Sequence, residues 1–206
     1  MKIGIIGSGK IGGTLTRRLR ELGHDVTVAN SRGPGSLAGL AAETGASAGT
    51  VREAARGEIV VIAVPMNAVP DLPAEDLAGR VVADAGNYYP ARDGQIAALD
   101  SGTTSSRWTA EQLPGARVVK IFNTIRADHL LTHGRPAGGD GRIALPVAGD
   151  DGAAKELIMG LVDELGFDPI DAGGLDDSWR QEPGAPVYGA DLDATRLRAG
   201  LADATR

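Results

Sequence analysis

The sequence predicts an α/β protein: a doubly wound, mostly parallel sheet carrying a small C-terminal extension. Three observations point there. Short apolar runs alternate with amphipathic helical stretches along most of the chain, the pattern of parallel strands joined by crossover helices. A glycine-rich turn separates the first apolar run from the first helical stretch. At 206 residues the chain can bury a sizeable core and fits a single domain. We read 1–206 as one domain, with 1–122 forming the core sheet and 123–206 extending it and covering its working edge.

The elements follow in order. "KIGIIG" (2–7) is apolar and ends in glycine, a buried strand. Over 10–22, Ile11, Leu15, Leu19 and Leu22 fall at helical spacing with Arg and Glu on the opposite face, and Gly23 closes the helix. "DVTVA" (25–29) is the second strand. A small Ala-rich helix over 36–44, a short extended piece near Ser47 and a short helix over 50–56 come next. "EIVVIAV" (58–64), "RVVADA" (80–85), "ARVVKIF" (116–122) and "RIALPVAG" (142–149) read as further strands. A helix spans 151–166, with Asp150 or Asp151 as N-cap and Gly166 at its end. "FDPIDAG" (167–173) is the last strand, and 190–204 a terminal helix. The Gly/Pro-rich stretches 134–141 and 183–190 are loops.

Composition excludes several classes. Hydrophobic residues make up 42% and charged residues 23%, the balance of a globular protein. The longest apolar run, "IVVIAVPM", falls well short of the ~20 residues a membrane span needs. Only Met1 and Lys2 precede the first strand, which leaves no room for a signal peptide, so we expect a cytoplasmic setting and no membrane partner. Without cysteine there are no disulfides, thiolate metal sites, iron–sulfur clusters or Cys nucleophiles. A net charge of -6 argues against nucleic-acid binding. Any anionic ligand must be held by local donors.

Residues 7–12, Gly7-Ser8-Gly9-Lys10-Ile11-Gly12, form a G-x-G-x-x-G fingerprint. Gly7 permits the tight turn off the strand, Gly9 lets backbone approach a pyrophosphate, and Gly12 lets the helix pack close to the sheet. The helix beginning near Lys10 points its free N–H groups at phosphate. With a strand before and a helix after, this is the phosphate-binding turn of a Rossmann-type fold. The second strand ends in Asn30-Ser31-Arg32. NAD-binding proteins place an acid here for the ribose hydroxyls. Its absence, with a hydroxyl and a planar guanidinium in its stead, favours the 2′-phosphate of NADP(H).

These residues carry a resemblance. "MKIGIIGSGKIGG", "LGHDVTVANSRGP", "IAVPMNAV", "VVADAGNYYP", "LPGARVVKIFNT" and the segment from "LPVAGDD" to "DAGGL" resemble the F420-dependent NADP reductases, over roughly residues 1–175. The resemblance implies hydride transfer between NADP(H) and the deazaflavin coenzyme F420, and a homodimer. It implies that Ser8, Gly9, Lys10 and Ile11 lie along the pyrophosphate, with Ser31 and Arg32 on the 2′-phosphate. It places Val64, Pro65 and Met66 at the ribose and nicotinamide, and Ala85, Gly86 and Asn87 on the nicotinamide side. Asn123 falls at the hydride-transfer position, where archaeal relatives carry His. The 179–189 stretch, "WRQEPGAPVYG", also departs from the continuous helix of those relatives.

Asn123 has a second reading, as N-cap of a helix in "TIRADHLL". An enzyme reducing a small imine, ketone or quinone-like compound, or a non-catalytic NADP-binding module, are the competing functions; no general acid stands out for the former. His24 reads as a surface turn residue. His129 and His133, four apart, lack the Glu of a zinc motif and a third ligand, so no metal is expected. "SGTTSS" (101–106) offers hydroxyls without a nucleophile elbow. Tyr88 and Tyr89 follow a strand at the ligand-binding edge and could flank a planar substrate or simply pack. Trp179 and Tyr188 are pocket wall, dimer contact or packing. Asp150-Asp151 and Asp176-Asp177 read as helix caps.

Overall fold

In the computed structural model, which describes residues 1–206, eight strands form one sheet in the order β3-β2-β1-β4-β5-β6-β7-β8. They are β1 Lys2–Ile6, β2 Asp25–Ala29, β3 Ser47–Ala48, β4 Ile59–Ile62, β5 Val81–Asp84, β6 Arg117–Lys120, β7 Ala144–Gly149 and β8 Asp168–Asp171. Every neighbouring pair is parallel except β6 and β7. Strands β4 and β5 are buried along their whole length, as expected of a parallel sheet covered on both faces. The fold is therefore the predicted Rossmann-type α/β sheet.

The helices are α1 Lys10–Glu21, α2 Ala38–Thr44, α3 Val51–Ala54, α4 Ala74–Leu77 and α5 Pro90–Asp93. After them come α6 Ala97–Asp100, α7 Ser105–Gln112, α8 Ala127–Thr132, α9 Gly152–Glu164 and α10 Ala194–Asp203. Side chains start several of them. Thr50 and Glu53 form a reciprocal capping box on α3, and Thr104, Asp151 and Asp193 cap α7, α9 and α10. Leu15 and Leu19 of α1 are fully buried against β1 and β2 in the largest of three core clusters. Each such leucine contributes about 1.5–3 kcal/mol. The second cluster covers the other face beneath α7, and a small third one joins α10 and Val187 to β7 and β8.

Three expectations change. His24 is buried, not a surface residue: the end of α1 packs on the end of α9, and His24 Nε2 lies 3.0 Å from Glu164. Only Asp151 of its pair caps α9; Asp150 accepts a bond from the Leu175 amide and pairs with Arg107. The stretch between β4 and β6 carries short helices that the sequence does not announce. The longest of these is α7, whose Ser- and Thr-rich face is buried. After β8 the chain forms a 3-10 turn over Leu175–Gln181 and climbs back to the carboxyl edge, where the Gly189 amide donates to Thr124.

Candidate functional site

β1 and β4 are neighbours in the sheet, and their connections diverge to the two flanking strands, so a crevice opens beyond their carboxyl ends. The glycine turn fills one wall. Gly7 has φ +112°, and a Cβ on it would lie 2.2 Å from the Ala63 carbonyl. A Cβ on Gly12 would lie 1.8 Å from the Gly7 carbonyl, so this glycine sets the approach of α1 to β1. Gly9 faces open space, with no atom within 4 Å of its Cβ position. No side chain caps α1 and no acid sits in its first turn. Its first amides are thus available to an anion in the crevice.

The end of β2 faces this turn across a cavity of about 760 Å³, lined in part by Gly7, Ser8, Gly9, Ser31, Arg32, Val64 and Pro65. Asn30 is buried and works as a brace: its Nδ2 donates to Ser8 Oγ (2.9 Å) and Ser36 Oγ (3.0 Å), and its Oδ1 accepts from the Arg32 amide (2.9 Å). Ser31 and Arg32 are exposed at the rim. Arg32 forms no ion pair with any carboxylate of the chain.

A second cavity of about 330 Å³ continues past Gly9, Val64 and Pro65 to the ends of β5 and β6, and it reaches Lys10 and Ile11. Ala85, Gly86 and Asn87 form one side and Asn123 the other. Met66 lines neither cavity; it is fully buried beneath the wall, its sulfur 2.9 Å from where a Gly86 Cβ would sit. Phe122 adopts φ 63°, a left-handed conformation rare for a bulky residue and characteristic of functional edges. Beyond it Asn123 turns inward: its Nδ2 donates to Gln181 O (2.7 Å) and Asn87 Oδ1 (3.1 Å), and its Oδ1 accepts from Gln181 Nε2 (3.0 Å). Asn123 is not the cap of the following helix, a place taken by Arg126.

The two adjacent tyrosines part company. Tyr88 Oη lies 2.7 Å from Asp100 and accepts from the Ile96 amide, pinning its own loop. Tyr89 faces the second cavity, where its hydroxyl is bonded to that of Tyr188 from the C-terminal extension. Burial, with the bond to Tyr89, pushes the Tyr188 phenol up to about 12. The Arg92 guanidinium lies 5.0 Å from the Tyr89 ring centroid and grips buried Asp93 through both carboxylate oxygens (2.8 and 2.9 Å). Burial alone would raise the Asp93 carboxyl, but Arg92 and the Tyr89 and Met66 amides outweigh it and hold it below the usual range.

The model of the family described as NADP oxidoreductase, coenzyme F420-dependent, matches residues 2–88. A solved structure from Sinorhizobium meliloti, the hypothetical protein SMa0349, is 33% identical, covers 93% of this chain and 95% of its own, and superposes with a TM-score of 0.81. A protein from Arthrobacter sp. FB24, provisionally assigned as an F420-dependent NADP-reductase, is 30% identical over 86% of this chain and 87% of its own, with a TM-score of 0.73. This chain belongs to the coenzyme F420-dependent NADP oxidoreductase family. The Escherichia coli K-12 protein YjhV shares 49% identity over 72 residues, 34% of this chain, and the match spans about half (53%) of that relative's length. No helix is long and apolar enough to cross a membrane.

The chain also has a polar layer behind the second cavity that its motifs do not announce. Lys120, at the end of β6, is fully buried; its Nζ donates to Gly86 O (2.6 Å) and to Ser105 Oγ. Ser105 in turn donates from its hydroxyl (2.6 Å) and amide (2.7 Å) to Glu182. Asp84, at the end of β5 and equally buried, accepts from the Gly86 amide (2.8 Å) and Ser106 Oγ (2.7 Å). Gly86 is thus held at both its amide and its carbonyl by ionisable side chains. One sequence signal was available: Lys and Asp are rarely buried unless paired, yet both end apolar strands here. His129 bonds to Asp191 and stacks near His133, with ring centroids 4.4 Å apart.

Proposed function

We propose that the protein binds NADPH along the crevice and transfers its hydride to an acceptor in the second cavity, with coenzyme F420 as the acceptor implied by family. The observation that carries this is the uncapped glycine turn facing Arg32 across one cavity, with no acid at the end of β2. The residues fit the group: Gly9 leaves the space, the α1 amides offer donors and Arg32 a charged fork. Ser8, Gly9, Lys10 and Ile11 would hold the pyrophosphate, and Ser31 and Arg32 the 2′-phosphate, presented by Asn30. Val64 and Pro65 with Ala85, Gly86 and Asn87 would frame the nicotinamide, Met66 supporting them from below. Bound NADPH supplies a hydride. The chain's own task is then positioning, which Asn123 serves by tying Asn87 to Gln181. On this reading 1–122 holds the cofactor and 123–206 closes the acceptor side. We place this chemistry in the cytoplasm and in a homodimer. The dimer rests on the family resemblance, since Val187 and Tyr188 pack within the chain.

A second acceptor class, a small ketone or imine, is favoured by one observation: the Tyr89–Tyr188 hydroxyl pair supplies the proton donor that the sequence lacked. The cofactor assignment is tested by titrating NADPH and NADH against wild type and Arg32→Ala. A charged hydrogen bond contributes about 1.5–3 kcal/mol, so NADPH affinity should fall roughly 10- to 100-fold with NADH unchanged. Equal losses for both would defeat the phosphate assignment. NADPH oxidation with F420, then with small carbonyls and imines, separates the acceptors.

A further inference from the structure

We propose that Tyr89 is a catalytic proton donor, its hydroxyl protonating the carbonyl oxygen or imine nitrogen of a small acceptor held in the cavity of about 330 Å³. This rests on the reading of the crevice as an NADPH site. Adding hydride to a C=O or C=N bond leaves an electron pair on the heteroatom, which needs a proton at that moment. The titratable side chains lining the cavity are Lys10, Tyr89, Arg92 and Tyr188; no carboxylate, histidine or cysteine lines it. Arginine does not give up its proton. Lys10 is exposed at the first turn of α1, on the pyrophosphate side. The tyrosines remain.

Their arrangement assigns the roles. Two bonded hydroxyls carry two protons, of which one lies between them and one is free. Either hydroxyl can donate to the other; with Tyr188 as the donor, the free proton is that of Tyr89. Burial and the bond to Tyr89 push the Tyr188 phenol up to about 12, so Tyr188 keeps its own proton when Tyr89 gives one up. A tyrosinate left at Tyr89 would accept the Tyr188 bond and face the Arg92 guanidinium. Arg92 is fixed by Asp93 and by its 2.7 Å bond to the Asn87 carbonyl. Tyr88 cannot share the role, since its hydroxyl is engaged with Asp100 and the Ile96 amide.

The step balances. The acceptor carbon gains the hydride supplied by NADPH, and the C=O π pair becomes a lone pair on oxygen. The Tyr89 O–H bond breaks to protonate that oxygen, leaving alcohol, NADP⁺ and tyrosinate. Solvent reprotonates Tyr89 through the open mouth after product leaves. The cavity lies near the small end of the ~300–1,000 Å³ range of ligand sites, which suits the small ketone or imine of the second acceptor class. The volume and the donor point to the same class.

The test compares wild type, Tyr89→Phe and Tyr188→Phe in three measurements. NADPH titration should give affinities within about twofold of one another, since neither tyrosine lines the larger cavity between the glycine turn and Arg32; failure of wild type to bind would overturn the cofactor reading instead. In turnover of small ketones and imines, Tyr89→Phe should lower kcat about 100-fold or more with little change in KM, and Tyr188→Phe should lower it less. In the cofactor-free protein, Tyr89→Phe should move the tyrosinate absorbance transition of Tyr188 down from about 12. Unchanged kcat in Tyr89→Phe, or equal KM effects in both variants at constant kcat, overturns the donor role. So does a wild type that binds NADPH yet reduces no carbonyl or imine.

Discussion

The two ends of the cleft are built by different means. The glycine turn is shaped by backbone: Gly7, Gly9 and Gly12 differ in what surrounds them, and each difference follows from chain geometry. Two short stretches, 7–12 and 30–36, complete that end, braced by one neutral side chain, Asn30. The end proposed for the acceptor is built from side chains brought from 84–93, 105–106, 120–123 and 181–188, several of them ionisable. Backbone sites depend on packing, side-chain sites on satisfied polar groups. The two ends should therefore fail under different insults.

The largest effect expected is at Gly12. A Cβ there meets a backbone oxygen at 1.8 Å, which no side-chain movement relieves. Gly12→Ala should lift α1 from β1, cost about 3 kcal/mol and abolish NADPH binding. Gly9→Ala sets the contrast: its Cβ enters empty crevice, so the urea midpoint should hardly move while NADPH affinity falls. If both variants unfold alike, the division between packing glycine and ligand glycine is wrong.

Next in size comes Lys120. Lys120→Met keeps the volume but strips the Gly86 carbonyl and Ser105 hydroxyl of a buried partner. Leaving such groups unsatisfied costs about 1–3 kcal/mol. Turnover should drop further than NADPH affinity, because the disturbed loop, Gly86–Asn87, belongs to the acceptor cavity. A variant as stable and active as wild type would reduce the buried layer to packing.

The same contrast explains what the sequence revealed. The glycine fingerprint is a local code, so strand, turn and helix could be placed from 2–29 alone, with observed bounds β1 Lys2–Ile6, α1 Lys10–Glu21 and β2 Asp25–Ala29. The role of Asn30 was hidden because its partners, Ser8 and Ser36, are set by tertiary packing. Tyr89 and Tyr188 lie 99 residues apart, and nothing in either neighbourhood announces the other. The antiparallel β7 was hidden too, since an apolar run reads identically in both directions. Asn123 was seen as important for its place, while its bonds to Gln181 and Asn87 needed the fold.

The smallest effect concerns acid. Asp93 has a folded pKa held below its ordinary value: burial opposes this, and Arg92 with the backbone amides overcomes it. For such a group the unfolded chain binds the proton more readily. Its stabilising contribution is complete above the unfolded pKa of about 3.9 and is lost as pH falls through the lower folded value. Asp93 joins Arg92 to the Tyr89 amide, so its protonation loosens the wall of the acceptor cavity. The Gly7–Gly12 turn carries no carboxylate and should be indifferent. As pH falls below about 3.9, protection against amide exchange, taken relative to the intrinsic rate at each pH, should thus drop at 86–93 before it does at 4–12. In Arg92→Met the Asp93 carboxyl loses its main lowering partner, and the acid-sensitive step should shift to higher pH. Simultaneous loosening of both segments would mean that the two ends unfold as one unit, and the separation drawn between them would not survive.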